Sequence, residues 1–359
     1  MNIKDRMIIE EYRKQKADFE RLGDVVHQIM KDMLKDAHIM VNAVQHRVKE
    51  EKSLQGKLYR KPDELQKFSD LTDILGTRII CYFADDVDRI GKLIENTFEI
   101  DWENSTDKRA LLKADAFGYL SLHYICLLPA NAGYPEELLG KKFEVQIRTI
   151  LQHAWSDVNH DLGYKSEFGV PREIVREFAR LAGLMEIADE EFMHVRDHVK
   201  EYTQDTRKKI IEDEAEDVLI NLVSLSEYML HNKKMRTFLQ KLADIENSEI
   251  TEIDPENYIN QLKWLKVETI GDLHRMQERN EKLAFELAKK TLEGSELDIL
   301  SSNVALRFLC RAELIQGKYS ENEVTEFIML TVNNRERAER QAKRLMRTAD
   351  ALMKDEKNG

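Results

Sequence analysis

A chain of 359 residues, 42% hydrophobic and 34% charged, can hold two domains with separate cores. Its formal net charge of −12 excludes nucleic-acid binding through the whole surface but leaves room for a local basic cleft. No apolar run is long enough to span a bilayer, and MNIKDRMIIEEYRKQK lacks the apolar core of a signal peptide, so neither a membrane partner nor export is expected.

Residues 1–68 read as helices, because Ile9, Tyr12, Phe19, Leu22, Val26 and Ile29 fall near helical spacing. A basic segment, RVKEEKSLQGKLYRK, follows within that stretch. Four β-like runs come next: Thr77–Phe83, Phe98–Trp102, Ser121–Leu128 and Lys142–Arg148, the first two joined by the helical ADDVDRIGKLIENTF. The expected class is therefore α+β, with a mixed sheet of four or five strands in residues 69–205. From Pro171 onward only helical patterns occur, so residues 206–359 are expected to form an all-α domain. SEITEIDP is its clearest internal break, and Thr269-Ile-Gly-Asp272 has the form of a capping box. The three cysteines lack metal spacing; Cys81 and Cys126 lie in apolar runs, as buried thiols of a reducing cytoplasm would.

Chemistry gathers in the β region. In FEVQIRT, Phe143, Val145 and Ile147 alternate with Glu144, Gln146 and Arg148, so one strand face carries an acid, an amide and a guanidinium. In GYLSLHY, Tyr119, Ser121 and His123 likewise share a face. Asp73 and Arg78 bracket Gly76 before the apolar IICYF. Asp73 and Glu144 together suit Mg²⁺, which takes few protein carboxylates and leaves positions for phosphate oxygens. Arg47, Lys49, Lys57, Arg60 and Lys61 could neutralise a polyphosphate, a combination that suits phosphoryl-type transfer. Singly, each feature more often belongs to a surface ion pair or a solvated helix face. GxxxxGK[ST], GxGxxG and HExxH are absent.

In their joint order these motifs resemble the synthetase domain of the RelA/SpoT family, which makes (p)ppGpp alarmones. The resemblance runs from about Arg47 to Lys165 through RVKxxxSLxxKL, DILGTRI, GYLSLH and EVQIRT…HAW…H…YK, the last including His153, His160, Tyr164 and Lys165. It implies a nucleotidyltransferase-like mixed sheet and transfer of the β,γ-diphosphate of ATP to the 3′-hydroxyl of GDP or GTP. By the same resemblance, Arg47 and Arg78 sandwich adenine, Lys49, Ser53 and Lys57 hold the ATP phosphates, and Asp73 binds Mg²⁺. Glu144 binds the metal or takes the hydroxyl proton. Tyr119 stacks on the acceptor base, His123 and Arg148 lie near acceptor phosphates, and Gln146 and His153 add acceptor contacts.

The approach to Tyr119 departs from the family pattern: it reads Ala114-Asp-Ala-Phe-Gly-Tyr-Leu-Ser121, without the usual lysine, asparagine and following arginine. Lys108, Arg109 and Lys113 are nearby substitutes. That departure raises an alternative acceptor, the 3′ end of tRNA, in a toxin-like enzyme restrained by the helical half. A non-catalytic nucleotide-binding protein is a third reading. No upstream segment accommodates a hydrolase domain, so alarmone hydrolysis is not expected. The helical half offers homo-oligomer formation, ligand sensing or restraint of the catalytic half.

Overall fold

The computed structural model describes residues 3–60, 62–111, 121–163 and 171–358. The chain divides into two compact units, Met1–Arg196 and Asp197–Gly359. In the first unit, helix α1 (Ile3–Asp36) leads into β1 (Val41–Val48), α2 (Glu51–Arg60) and β2 (Leu75–Cys81). There follow α3 (Ala84–Thr97), β3 (Glu99–Ile100), β4 (Thr106–Asp107), α4 (Lys108–Leu111), β5 (Leu122–Leu127), β6 (Phe143–Thr149), α5 (Ile150–Gly163) and α6 (Arg172–Ile211). The division between units falls inside α6.

The sheet runs β1-β2-β6-β5-β3, with β4 also paired to β5. Only the β2–β6 pair is parallel; the other pairs are antiparallel, so the sheet is mixed. Leu75, Thr77, Ile79 and Cys81 of β2 and Phe143, Val145 and Ile147 of β6 are sealed from solvent on one face. Against that core packs α1, whose buried Tyr12, Phe19, Leu22, Val26, Met30 and Leu34 recur at three- and four-residue steps. Ile90 and Ile94 of α3 complete it. Where α1 crosses β1 the approach is close: a Cβ on Gly23 would come within 2.6 Å of the His46 ring.

One expectation is corrected. Val41–Val48, inside the stretch read as helical, is a strand. As an edge strand it is half-buried to exposed throughout, so burial left no continuous apolar record in VNAVQHRV.

In the second unit come α7 (Leu222–His231), α8 (Lys233–Ala243), β7 (Glu249–Thr251), α9 (Glu256–Trp264), α10 (Ile270–Leu292), β8 (Ile299–Ser301), α11 (Val304–Gln316), α12 (Glu321–Met329) and α13 (Arg335–Asn358). The SEITEIDP break is β7, which pairs in parallel with β8, so this region is helical apart from one short two-stranded ladder. Thr269 caps α10 by accepting from the Asp272 N–H, and the Asp272 carboxylate accepts from the Thr269 N–H. Phe238, Leu273, Met276, Phe308, Leu309 and Phe327 centre a core separate from the first. Cys81, Cys126 and Cys310 are buried free thiols, and burial pushes Cys81 and Cys310 up to about 12. Among the described residues no helix is long and apolar enough to cross a membrane.

Because Leu22 is fully buried between α1 and the sheet, Leu22→Ala should cost about 3 kcal/mol in the unfolding transition of the first unit. Urea titration followed by circular dichroism reads this; a change below about 1 kcal/mol would contradict the packing described.

Candidate functional site

Strand register assembles the site on the sheet face opposite α1. Arg47 of β1 lies opposite Gly76 of β2, which lies opposite Glu144 of β6. The next row of that face reads Gln45, Arg78, Gln146 and His123. The polar residues of FEVQIRT and of neighbouring strands therefore share one surface, as two-residue alternation requires. At its centre Gly76 contributes no side chain, and a cleft of about 560 Å³ opens there. Its walls include Arg47, Lys49, Asp73, Arg78, Glu144 and Gln146.

The two carboxylates are held in contrasting ways. Asp73 accepts from Lys49 Nζ at 2.5 Å and from Lys57 Nζ at 2.8 Å, one ammonium on each oxygen. Burial alone would push this carboxyl up; the charges of Lys49 and Lys57 outweigh it and hold Asp73 below the usual carboxylate range. Lys49 is fixed by its backbone: its N–H donates to the Ile74 carbonyl and its own carbonyl accepts from Tyr12 Oη. Among the described residues no ammonium lies against Glu144. Its Oε1 lies 2.8 Å from His123 Nδ1, and its Oε2 accepts from Gln146 Nε2 at 2.9 Å. Burial pushes Glu144 up and the nearby Asp73 charge adds to that, but the bonds and charge of His123, with the Gln146 bond, bring it below its ordinary value.

His123 also borders a second cavity of about 530 Å³, together with Lys92, Trp102, Asp107, Arg109 and Tyr124. Arg109 is engaged there by Asp107 at 2.8 Å and Asp88 at 2.7 Å.

The far end of the polar face is covered. Arg148 is 1% exposed, whereas Arg78 remains partly open. Thr149-Ile-Leu-Gln152 ends β6 and starts α5 with a reciprocal cap, Thr149 N–H to Gln152 Oε1 and Gln152 N–H to Thr149 Oγ1. This cap sets α5 so that Asp157 faces Arg78 (3.9 Å), Arg148 (4.0 Å) and His153 (3.6 Å). Burial, then Arg148, lowers the His153 imidazole, against the opposing pull of Asp157. Thr149 Oγ1 also donates to the buried Asp189 of α6 at 2.8 Å.

Of the residues anticipated from sequence, Asp73, Glu144, Arg47, Lys49, Arg78 and Gln146 share one cleft, and Lys57 reaches it through Asp73. His123 lies behind Glu144. Arg148 and His153 sit with Asp157, and Ser53 is on an exposed face of α2. Tyr119, Lys61, Lys113, Tyr164 and Lys165 lie outside the described residues. Asp157 was not anticipated; its signal was its position four residues after His153, one turn along the same helix. Among the described residues no cluster of three or more His, Cys, Asp or Glu suits a metal ion. Two carboxylates on one cleft are hard oxygen donors that fit an ion sharing its shell with phosphate oxygens.

This is a mixed-sheet domain with a charged cleft of the kind that positions anionic substrates. The family model for the region found in RelA / SpoT proteins matches residues 46–168. GTP pyrophosphokinase YwaC of Bacillus subtilis (strain 168) is 30% identical over 164 residues, covering 44% of this chain and 76% of the relative. GTP pyrophosphokinase YjbM of the same organism is 29% identical over 169 residues, covering 46% and 77%. The crystal structure of small alarmone synthetase 1 from Bacillus subtilis is 25% identical, with a TM-score of 0.45, and covers 54% of this chain and 99% of that one. The chain belongs to the RelA/SpoT family.

Two carboxylates give opposite pH signatures. Asp73 is depressed below 3.8, so its contribution to stability is present above that value and fades as pH falls through its lower folded pKa. Asp189 is raised from 3.8 to about 6 by burial, so its ionisation opposes folding above pH 6, and protonation relieves this between 6 and 3.8. Asp189→Asn should therefore be more stable than the parent at pH 8, by about 1–3 kcal/mol, with the advantage shrinking toward pH 4. Denaturant midpoints across pH check this, and an advantage that grew on acidification would reverse the sign.

Proposed function

We propose that this chain is a pyrophosphokinase moving the β,γ-diphosphate of ATP to the ribose 3′-hydroxyl of GDP or GTP, the reaction that yields (p)ppGpp. Two GTP pyrophosphokinases among its relatives support the reading. The observation that carries it is the convergence of Asp73 and Glu144 on one cleft whose wall also holds Arg47 and Arg78.

In this reading the guanidinium planes of Arg47 and Arg78 take the adenine faces. Lys49 and Lys57, now neutralised by Asp73, turn to the ATP phosphates, with Ser53 one turn before Lys57 on α2. Asp73 and Glu144 would hold Mg²⁺, which supplies charge neutralisation on the bridging phosphate oxygens. The exchange balances charge: the carboxylate loses two ammonium partners as the triphosphate gains them.

Glu144 orients the attacking 3′-hydroxyl and receives its proton. Because His123 and Gln146 already donate to it, it is a weak base, which suffices where the transferred group passes through a loose transition state. The cavity beyond His123 takes acceptor phosphates, with Arg109 exchanging its carboxylate partners for them. Tyr119 stacks on the acceptor base, and Gln146, Arg148 and His153 complete the acceptor side.

Incubating the protein with ATP labelled in its terminal phosphate, Mg²⁺ and separate acceptors tests this. Label should appear on GDP or GTP; label on deacylated tRNA alone would transfer the reading to the toxin-like alternative. Asp73→Asn and Glu144→Gln should each lower kcat by about 10³-fold or more while leaving the fold intact. Gly76→Val offers a separate check, because a Cβ there meets nothing closer than the Arg47 carbonyl at 3.9 Å. Its added methyls enter the cleft, so KM for ATP should rise about tenfold with little loss of stability. An unchanged KM would remove the donor from this cleft.

A further inference from the structure

Three arginines of the second unit line one small cavity between α10, α11 and α13. Arg307 and Arg311 lie one turn apart on α11, and Arg344 joins them from α13. Like charges four residues apart on a helix repel, and a site partly screened from water strengthens that repulsion. Burial, then the charge of Arg307 with Arg344 adding to it, pushes the Arg311 guanidinium down to about 10, still cationic at neutral pH.

The walls offset little of this. Among the described residues no aspartate or glutamate lines the cavity, whose volume is about 70 Å³. Arg311 Nη2 donates to the Gln341 amide oxygen at 3.3 Å, a long bond to a neutral group. Arg307 and Arg311 stand 5.9 and 5.7 Å from the centre of the Phe308 ring, at the edge of cation–π reach. The Thr291 and Thr348 hydroxyls, which also line the cavity, donate to carbonyls of their own helices. Other cations of α13 meet acids instead: Arg335 lies against Glu326 and Glu339, and Lys343 against Glu321. Three guanidinium groups on a cavity with uncharged walls are complementary to an anion, because burying charge costs least when it is paired.

The geometry points to a phosphate-binding site formed by Arg307, Arg311 and Arg344. Guanidinium forks match phosphate oxygens in pairs, and three forks outnumber what the two oxygens of a carboxylate can take. The cavity has room for one tetrahedral oxyanion and not for a nucleoside beside it. Arg307 and Arg344 are exposed, so the mouth is open on their side. The phosphate can therefore be free or the end of a larger molecule. Once bound it bridges α11 and α13 and steadies both. This site stands apart from the proposed diphosphate transfer and does not depend on it.

Hydrogen-exchange mass spectrometry on the full chain tests this, with sodium phosphate, or ADP as a nucleotide phosphate, titrated against sodium chloride of equal ionic strength. Phosphate should slow exchange in α11 and α13 at least about fivefold at saturation. Arg311→Met keeps the apolar stem and removes the charge; it should weaken the phosphate effect at least about tenfold. In chloride alone this variant should exchange no faster than the parent, since one of three like charges is gone. Slowing by ADP at lower concentration than phosphate would assign the site to a nucleotide's phosphate, and slowing by phosphate alone to the free anion; both support it. Equal slowing by chloride, slowing that survives Arg311→Met, or a variant that exchanges faster with and without phosphate overturns the proposal. The last result would make Arg311 a packing residue.

Discussion

Keeping two carboxylates ionised at the bottom of one cleft is the constraint around which the catalytic unit is organised. Burial pushes both carboxyls up, and the charge of Asp73 pushes Glu144 up further. Asp73 escapes this with two ammonium groups, Glu144 with an imidazole and an amide. The difference has chemical consequences. Ammonium groups on flexible stems can turn to another anion, so in the proposed reaction Asp73 would release Lys49 and Lys57 to the phosphates. The donors to Glu144 sit on the neighbouring strand β5 (His123) and two residues along β6 itself (Gln146), so the sheet holds its geometry.

Much of the fold that supports this arrangement derives from one parallel pairing. Placing β2 beside β6 brings Gly76 next to Glu144 and Arg78 next to Gln146. A one-residue slip would turn Glu144 and Gln146 into the α1 core and expose Val145. The zero exposure of Phe143, Val145 and Ile147 therefore fixes the register and, through it, the direction of every polar group on the opposite face. Packing energy in one layer is what orders the chemistry in the other.

The alternation in FEVQIRT was legible because its strand is central and fully buried on one side, which writes a period of two into the sequence. The same reasoning reached β2, β3 and β5 within a few residues. It missed β1, whose edge position leaves half-buried side chains and a blurred pattern, and β4, which is two residues long. The pair β7 and β8 escaped for the same reason of length. At the site, residues belonging to a recognisable local string were found, and Asp157 was not. Its role depends on α5 folding back over Arg78 and Arg148, a relation between distant segments that no local spacing encodes. The Thr149–Gln152 cap could have been read as a helix start, and it would have placed His153 and Asp157 one turn apart on a single face.

Helix α6 bears on the same face through one buried bond. Its inner side holds Asp189 against Thr149, the residue that both ends β6 and caps α5. Arg148 precedes that residue and His153 follows four later, so both side chains hang from a junction that α6 touches directly. A buried carboxylate with one hydrogen-bonded oxygen is a costly way to fasten a helix, and an apolar residue would pack there at lower cost. What the carboxylate adds is a directional bond to the Thr149 hydroxyl, fixing the rotation of α6 as well as its distance from the sheet. Rotation of α6 decides which of its sides faces outward. The same bond that steadies the cap of α5 therefore also keeps Ala182 and Asp189 on the inner side of α6.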